Sequence, residues 1–201
     1  MAATLASRGA SRMTRCLLTL AAAAILAGTP PARAEAPAPA RPTPPVAAKT
    51  LEALVVLENG GEFRIELYLA DAPRHVANFV KLASRGFYDG QRFHRVVPKF
   101  VVQIGDPKSR TLPLNHPEMG TGGPGYTIAA EFNRRQFVRG VVGMARGPDP
   151  NSAGSQIFVM LGDDRSLDGE YTAFGRVVRG MDVVDRIRVG DRVTSVRIVT
   201  K

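Results

Sequence analysis

The chain has 201 residues, 44% of them hydrophobic, which excludes a wholly disordered protein and suffices for one packed domain with appendages. The formal net charge is +9, but residues 1–34 hold four arginines and no acidic residue, which leaves 23 basic and 18 acidic residues, or +5, for the remainder. That remainder has no Lys/Arg-rich block and no aromatic-basic stacking motif. We therefore expect no nucleic-acid partner.

The first 34 residues have the pattern of a secretory signal peptide. Three arginines precede an apolar run at 16–27, and an Ala-Arg-Ala cleavage motif ends at Ala34. The run is shorter than the roughly 20 residues that span a membrane, so we expect cleavage, with a retained anchor as the alternative. Cleavage predicts a periplasmic or secreted protein without stable membrane insertion. It would also remove Cys16, the only cysteine, so the mature chain would form no disulfide.

Residues 35–50 are rich in proline and alanine, which predicts a solvated linker ahead of a folded domain at 51–201. The domain opens with a hairpin signal, because Asn59-Gly60-Gly61 is typical of a tight turn between antiparallel strands. The two strand-like runs that it joins are 51–57 and 63–69.

A helix is predicted next, with Asp71 near its N-cap, Pro73 in its first turn and Gly86 at its end. The chain then alternates short strand-like runs with Gly, Pro and Asp, and these runs are 92–97, 100–104, 126–130, 137–144, 156–161, 172–178 and 193–199. A second, shorter helix is predicted at 180–187. Many short strands with only two helices favour a closed antiparallel β architecture, because a parallel α/β fold would need more helices.

The most informative stretch is 93–106, where two apolar β-rich runs flank a Pro-Lys corner. Arg95 and Gln103 interrupt these runs. A lone arginine or amide in an apolar strand is costly unless it faces a wet cleft or has a partner. The stretch therefore indicates a polar site between apolar walls.

Three further glycine-containing blocks follow in order, at 120–132, 140–158 and 167–175. Together with F-H-R-V-V-P-K-F-V-V-Q-I-G-D at 93–106, they closely resemble the cyclophilin-type peptidyl-prolyl cis-trans isomerases over residues 51–201. The resemblance implies a mainly β fold, a closed eight-stranded antiparallel β-barrel capped by two α-helices. It also implies an isomerase that uses no cofactor and no metal.

The glycine-rich block also fits a dinucleotide-binding pattern, because Gly120, Gly122 and Gly125 read G-x-G-x-x-G. Such a site needs a preceding strand and a following helix. Residues 112–117 are loop-like and 126–130 are strand-like, so tight turns explain the glycines better. A metal site is not expected either, because the three histidines lack metal-ligand spacing.

Isomerisation of an X-Pro bond requires no nucleophile, because the barrier of about 18–20 kcal/mol comes from amide resonance. The resemblance implies that Arg95 donates to the proline nitrogen or carbonyl as resonance is lost. Gln103 would orient Arg95, and Phe100 is the third predicted catalytic residue. The predicted substrate-binding residues are Val101, Phe158 and Leu167 in the proline pocket with Phe100, Ala145 and Arg146 on a strand edge, His94 and Tyr171 at the rim, and Gln156.

Six of these residues have a structural alternative: an ion pair for Arg95, backbone satisfaction for Gln103, ordinary core packing for Phe100 and Phe158, and no substrate contact for His94 or Tyr171. The function also has alternatives, a proline-peptide-binding chaperone without turnover or a surface-association protein. The expected partners of the leading hypothesis are proline-containing unfolded or flexible exported polypeptides, and the expected state is a monomer. Ser166 replaces a tryptophan that helps many eukaryotic family members to hold cyclosporin, so we expect poor sensitivity to that inhibitor.

Overall fold

The computed structural model describes residues 50–200. The predicted signal peptide, 1–34, and all but the last residue of the predicted linker, 35–50, lie outside the described residues, so both stay predictions. The described strands are β1 Leu51–Leu57, β2 Glu62–Leu67, β3 Arg95–Val97, β4 Val101–Ile104, β5 Val141–Met144, β6 Ile157–Met160, β7 Thr172–Arg179 and β8 Val193–Thr200. The α-helices are α1 Pro73–Ser84 and α2 Met181–Arg186, and two short 3₁₀ turns are Pro107–Arg110 and Arg165–Leu167.

All eight strands belong to one sheet, in which every strand pair is antiparallel and the order is β3-β4-β6-β5-β7-β2-β1-β8. The predicted hairpin between β1 and β2 is present, and Gly60 lies in its turn with a φ of 83°. The mainly β fold with two helices is therefore confirmed.

The sheet is curled but open, so the expected closed barrel is wrong in that respect. The edge strands β3 and β8 share no ladder and approach each other only through a bridge between Arg92 and Arg192. Main-chain hydrogen bonds join the two sides of this seam. The N–H of Phe93 donates to the carbonyl of Asp191, and the N–H of Val193 donates to the carbonyl of Gln91. The nearby glycines Gly90 and Gly190 have positive φ, which interrupts an extended ladder on both sides.

The core lies between the concave face of the sheet and α1. Alternate residues of β1 and β2 point inward, as the period of a strand requires, and Ile65 is fully buried. From α1, the ring of Phe79 packs 5.3 Å from that of Tyr88 and 5.4 Å from that of Phe174. None of the helices described between residues 50 and 200 is long and apolar enough to cross a membrane.

The N-terminus of α1 differs from its prediction. Its N-cap is Ala72 with no side-chain hydrogen bond, while Asp71 pairs with Arg135 instead. A distant carboxylate takes over: Glu131 accepts the N–H groups of Arg74 and His75 at 3.0 and 2.8 Å. A sequence window cannot detect this cap, because its acceptor lies more than 50 positions away.

The strand predicted at 126–130 is absent. Only an isolated bridge between Ile128 and Ala153 forms there. Tyr126 instead turns towards α1, where its hydroxyl donates to Asn78 and its ring lies 4.8 Å from the ammonium of Lys81. The segment therefore packs across the helix as a loop, although its residues alternate as in a strand.

Candidate active site

The two polar residues of the 93–106 stretch face each other on neighbouring strands. Arg95 on β3 lies directly opposite Gln103 on β4, and its Nη1 donates to Gln103 Oε1 at 3.3 Å. Arg95 is exposed, and its guanidinium carbon lies 5.7 Å from the centre of the Phe100 ring. The sheet therefore holds this arginine at a pocket wall rather than in the core.

The turn that joins β3 to β4 contains Lys99, whose φ is 63°. No other non-glycine residue between 50 and 200 has a positive φ, and the left-handed conformation costs a non-glycine residue about 1–2 kcal/mol. A glycine would adopt this backbone without that cost. The turn places Phe100 beside Arg95, and the carbonyl of Phe100 accepts a hydrogen bond from the N–H of Leu161.

Next to Arg95 lies a pocket of about 230 Å³, which we call the proline pocket. Five of its nine lining residues are apolar and four are polar, a combination that can hold a small apolar ring and orient the groups beside it. All nine of its lining residues belong to the predicted set, and they are Arg95, Phe100, Val101, Gln103, Ala145, Arg146, Phe158, Leu167 and Tyr171.

The back wall of the proline pocket is an aromatic cluster. The Phe158 ring packs edge-on against Tyr171 at 5.7 Å and stacks on Phe137 at 5.7 Å. Gly143 makes room for it, because a Cβ there would lie 2.3 Å from Phe158 Cζ. Both Phe137 and Phe158 are buried, so the wall is fixed before any substrate enters.

A second pocket of about 560 Å³ adjoins the first, and we call it the neighbouring pocket. The two share Gln103, Ala145 and Arg146. The glycine-rich segment 120–127 and Gln156 line its other side. The two pockets together form a groove long enough for residues beyond the proline itself.

Side-chain amides connect the two pockets. Gln103 Nε2 donates to Gln156 Oε1 at 2.9 Å, and Gln156 Nε2 donates to the carbonyls of Gly120 and Gly122, each at 2.8 Å. Gln156, predicted as a substrate-binding residue, therefore lies at the wall of the neighbouring pocket and is already hydrogen-bonded to the loop.

Arg146 lines both pockets, but each of its three side-chain nitrogens already donates to a protein acceptor. Its guanidinium carbon lies 4.8 Å from the centre of the Tyr171 ring, Nε donates to the Glu170 carbonyl, and Nη1 donates to the Gly147 carbonyl. The predicted strand edge is also shorter than expected, since β5 ends at Met144. The N–H of Ala145 already donates to the main-chain carbonyl of Gln156. Substrate contact by Ala145 and Arg146 stays a prediction.

His94 is the one predicted residue that lines neither pocket. It packs beneath the glycine-rich loop, and among the described residues neither of its covered ring nitrogens has a partner at hydrogen-bond geometry. Burial lowers its pKa and outweighs the nearby Asp106 carboxylate, which raises it, so the ring is neutral at pH 7. The predicted rim contact of His94 is not seen, whereas Tyr171 forms part of the wall.

Several residues that build the site could not be identified from the sequence. Phe137 and Gly143 shape the aromatic wall, and Asp106, which is part of the 93–106 motif but was given no role, contacts the glycine-rich loop.

Ser166 is exposed, and its N–H and hydroxyl both donate to Asp164 Oδ1. No group of three or more His, Cys, Asp or Glu side chains between residues 50 and 200 could hold a metal ion.

The family assignment follows from comparison with known proteins. The family model described as cyclophilin type peptidyl-prolyl cis-trans isomerase/CLD matches residues 54–201. The chain belongs to this family. It is a peptidyl-prolyl cis-trans isomerase whose substrates are proline-containing peptides, which confirms the resemblance seen in the sequence.

Curated relatives agree with this assignment. The chain is 47% identical over 133 residues to a probable peptidyl-prolyl cis-trans isomerase of Brucella suis biovar 1 (strain 1330), covering 65% of this chain and 68% of that protein. It is 41% identical over 145 residues to peptidyl-prolyl cis-trans isomerase B of Bacillus subtilis (strain 168), covering 71% and 94% respectively.

Solved structures show the same fold. A cyclophilin-type isomerase of Cryptosporidium parvum aligns with a TM-score of 0.66 at 23% identity, covering 76% of this chain and 99% of that one. The cyclophilin AquaCyp293 of Hirschia baltica aligns with a TM-score of 0.63 at 22% identity, covering 76% and 82%. At these identities the likeness supports the cyclophilin fold.

Proposed function

We propose that this isomerase accelerates X-Pro isomerisation in unfolded or flexible polypeptides outside the cytoplasm, as a periplasmic or secreted monomer. The signal-like sequence of residues 1–34 supports export. Uncatalysed exchange at X-Pro bonds takes tens to hundreds of seconds and is slow enough to limit folding. An exported chain that contains proline would therefore fold faster beside such an enzyme.

The observation that carries the catalytic proposal is the position of Arg95 at the wall of the proline pocket. In the twisted transition state the proline nitrogen loses amide resonance and becomes an acceptor. A guanidinium N–H aimed at that nitrogen, or at the adjacent carbonyl, stabilises the twisted state more than either planar isomer, which is the condition for catalysis. Arg95 is exposed and has one weak protein acceptor, so its remaining donors are free to bind substrate.

The rest of the proline pocket supplies binding and orientation. Phe100, Phe158 and Leu167 present apolar surface to the proline ring, and the buried aromatic wall keeps that surface in place. Gln103 fixes one end of Arg95 through its Oε1. The neighbouring pocket would receive the chain on one side of the proline, which leaves broad tolerance for the flanking residues.

The alternative proposal, a chaperone that binds proline segments without useful turnover, uses the same groove but gives Arg95 no task. A protease-coupled proline assay on the purified domain 51–201 discriminates the two. We expect catalysed exchange well above background at micromolar protein. Binding of a proline peptide with no rate above background would support the chaperone proposal instead.

Export is tested separately by mass spectrometry of the protein recovered from outside the cytoplasm. We expect a mature N-terminus at Glu35, after Ala34. A chain that retains Cys16 would indicate a membrane anchor. Sedimentation of the same sample tests the monomer proposal.

A further inference from the structure

Asp106, which follows β4, is a fully buried carboxylate that organises the glycine-rich loop. Its Oδ2 accepts the N–H groups of Gly120 at 2.6 Å and Gly122 at 3.2 Å. Its Oδ1 accepts the N–H of Lys108 at 2.8 Å, at the start of the 3₁₀ turn. Both oxygens are therefore occupied by main-chain donors, and a buried carboxylate in this state holds its loop firmly.

The loop that Asp106 holds is the first link of a hydrogen-bonded chain that ends at Arg95. The carbonyls of Gly120 and Gly122 accept from Gln156, Gln156 accepts from Gln103, and Gln103 accepts from Arg95. The distances along the amide links are 2.8, 2.9 and 3.3 Å. The chain thus runs without a gap from a buried anion to the exposed guanidinium.

Both ends of this chain fix its direction. A carbonyl can only accept, so Gln156 must turn its amide nitrogen towards the loop and its oxygen towards Gln103. A guanidinium can only donate, so Gln103 must turn its oxygen towards Arg95 and its nitrogen towards Gln156. Each amide therefore has one orientation that satisfies both neighbours, which predicts a single ordered arrangement.

We propose that Asp106 is a positioning residue for Arg95, which it holds in place through the glycine-rich loop, Gln156 and Gln103. The inference rests on the proposed role of Arg95 in the reaction. Arg95 is exposed, and among residues 50–200 its side chain hydrogen-bonds only to Gln103, so a displaced glutamine leaves the guanidinium free to change rotamer. A displaced guanidinium loses transition-state contact while the apolar proline pocket still binds the ring.

The first test replaces Asp106 by asparagine, which keeps the shape of the side chain. Main-chain donors face both oxygens, so the new NH₂ group meets an N–H in either orientation. It removes the acceptor either of the glycine-rich loop, at Gly120, or of the 3₁₀ turn, at Lys108, and in both cases the side chain loses its charge. We expect kcat/KM for a proline tetrapeptide to fall roughly five- to thirtyfold. The Kd of a proline peptide should change less than about threefold, since the apolar wall of the proline pocket supplies most of the ground-state binding.

A double-mutant cycle shows whether the effect passes through Arg95. In an Arg95→Ala background, Asp106→Asn should change the remaining rate little, because the group that it positions is gone. An equal fold-loss in both backgrounds would mean that Asp106 affects the rate independently of Arg95, and would overturn the proposal. Asp191→Asn is the matched control, because Asp191 also accepts a main-chain N–H, that of Arg188 at 2.8 Å, outside the site.

A second variant disturbs the same contact without changing a charge. A Cβ on Gly122 would lie 2.0 Å from Asp106 Oδ1, whereas a Cβ on the adjacent Gly123 meets nothing within 4 Å. Gly122→Ala should therefore reproduce the rate loss of Asp106→Asn, and Gly123→Ala measures the effect of a methyl group alone. Equal rates for the two alanine variants would contradict the proposal.

Side-chain NMR of the Arg95 Nε–H group separates positioning from catalysis. Asp106→Asn and Gly122→Ala should both lower its order parameter, and Asp191→Asn should not. Unchanged Arg95 order in the first two variants overturns the positioning role, whatever the rates are. Full activity of Arg95→Ala alone would instead overturn the proposed role of Arg95, and the NMR result would still decide whether Asp106 orders it.

Discussion

Two regions of the molecule use arginine in opposite ways, although Arg92 of the first and Arg95 of the second are only three positions apart in the sequence. At the loop anchor, which we define as Arg92, Arg110 and the segment 107–112, main-chain carbonyls surround each guanidinium. Arg92 donates to Ser109 at 2.5 Å and to Leu112 at 2.6 Å, and Arg110 donates to Asp89 at 2.9 Å and also to Phe87. At the pocket wall, Arg95 has one bond of 3.3 Å to an amide.

The difference shows that donor satisfaction, rather than charge, separates a structural arginine from a functional one. The guanidinium groups of the loop anchor are held by fixed carbonyls, so they stabilise a loop and have little left to offer a ligand. Arg95 is exposed at the proline pocket, so most of its donors are hydrated by solvent until a substrate replaces the water. Substitutions at the loop anchor should therefore lower the free energy of unfolding, whereas substitutions of Arg95 should lower kcat/KM.

The largest effect should come from the loop anchor. Arg92→Ala leaves two carbonyls of the 107–112 segment without their charged donor, and each such bond is worth about 1.5–3 kcal/mol. We expect a loss of about 3 kcal/mol in the free energy of unfolding, measured in urea. Activity per folded molecule should stay within about twofold, because the anchor does not line the proline pocket and the contacts of Asp106 with Gly120 and Gly122 lie outside the anchor. A rate loss in fully folded protein would break the comparison.

Arg95→Ala should have the opposite profile. We expect kcat/KM in the coupled assay to fall at least about tenfold, while the free energy of unfolding changes by less than about 1 kcal/mol, as for most exposed substitutions. Arg95→Lys should also be poor, since it keeps the charge but loses the planar fork of donors. Near-wild-type rates in both variants would contradict the proposed mechanism.

The sequence could predict the pocket well but not the arrangement around it. The 93–106 motif and the later glycine-rich blocks identify all nine residues of the proline pocket, because those positions carry the chemistry that the family shares. Asp106 and Gly143 could not be assigned roles, since their contacts join segments far apart in the chain. Nor could local patterns distinguish Arg92 from Arg95, because the acceptors of Arg92 lie 17 and 20 positions away.

The overpredicted strand and barrel closure have a similar cause. The alternation at 126–130 is that of a strand, but the contact of Tyr126 with Asn78 draws the segment onto α1. Barrel closure depends on how the loops at Gly90 and Gly190 meet, which no periodicity encodes. Local patterns therefore identified elements, whereas long-range hydrogen bonds decided which of them joined the sheet.

A smaller effect is expected from pH, at a third polar contact, between α1 and Glu131. His75 is fully buried, and its Nδ1 lies 2.7 Å from Glu131 Oε2. Burial lowers the pKa of His75 and outweighs the Glu131 hydrogen bond, which raises it. Burial raises the pKa of Glu131, but hydrogen bonds from the N–H groups of Arg74 and His75 and from the His75 ring together lower it.

The sign of the pH effect is the same for both groups. Below the ordinary histidine pKa of 6.5, the unfolded chain binds a proton at His75 that the folded chain refuses, so stability falls as the pH drops. One such proton changes stability by at most about 1.4 kcal/mol per pH unit. Urea unfolding between pH 7 and 5 should show this slope, and His75→Asn, which does not titrate, should reduce it. Part of the slope should remain, because burial also lowers the pKa of His94. An unchanged slope in the variant would assign the effect to other groups.

The smallest effect tests Arg146, which has features of both regions. Like Arg92 it donates to main-chain carbonyls, and like Arg95 it lines the groove, where the two pockets contain arginines but no acidic side chain among their lining residues. Its ion pair with Glu170, at 3.1 Å, is weakened by the 65% exposure of that carboxylate. The groove should therefore prefer an acidic residue beside the proline.

A tetrapeptide with glutamate before proline should be isomerised about two- to fivefold faster, in kcat/KM, than one with lysine, as expected for a partly solvated charge contact of about 0.4–1 kcal/mol. High salt should reduce this ratio, because exposed charges are screened. Arg146→Gln should lower the ratio, and Glu170→Gln should raise it by removing the competing carboxylate. If the ratio is the same in both variants, Arg146 is as fully committed as Arg92, and partial satisfaction of a guanidinium does not leave it available to substrate.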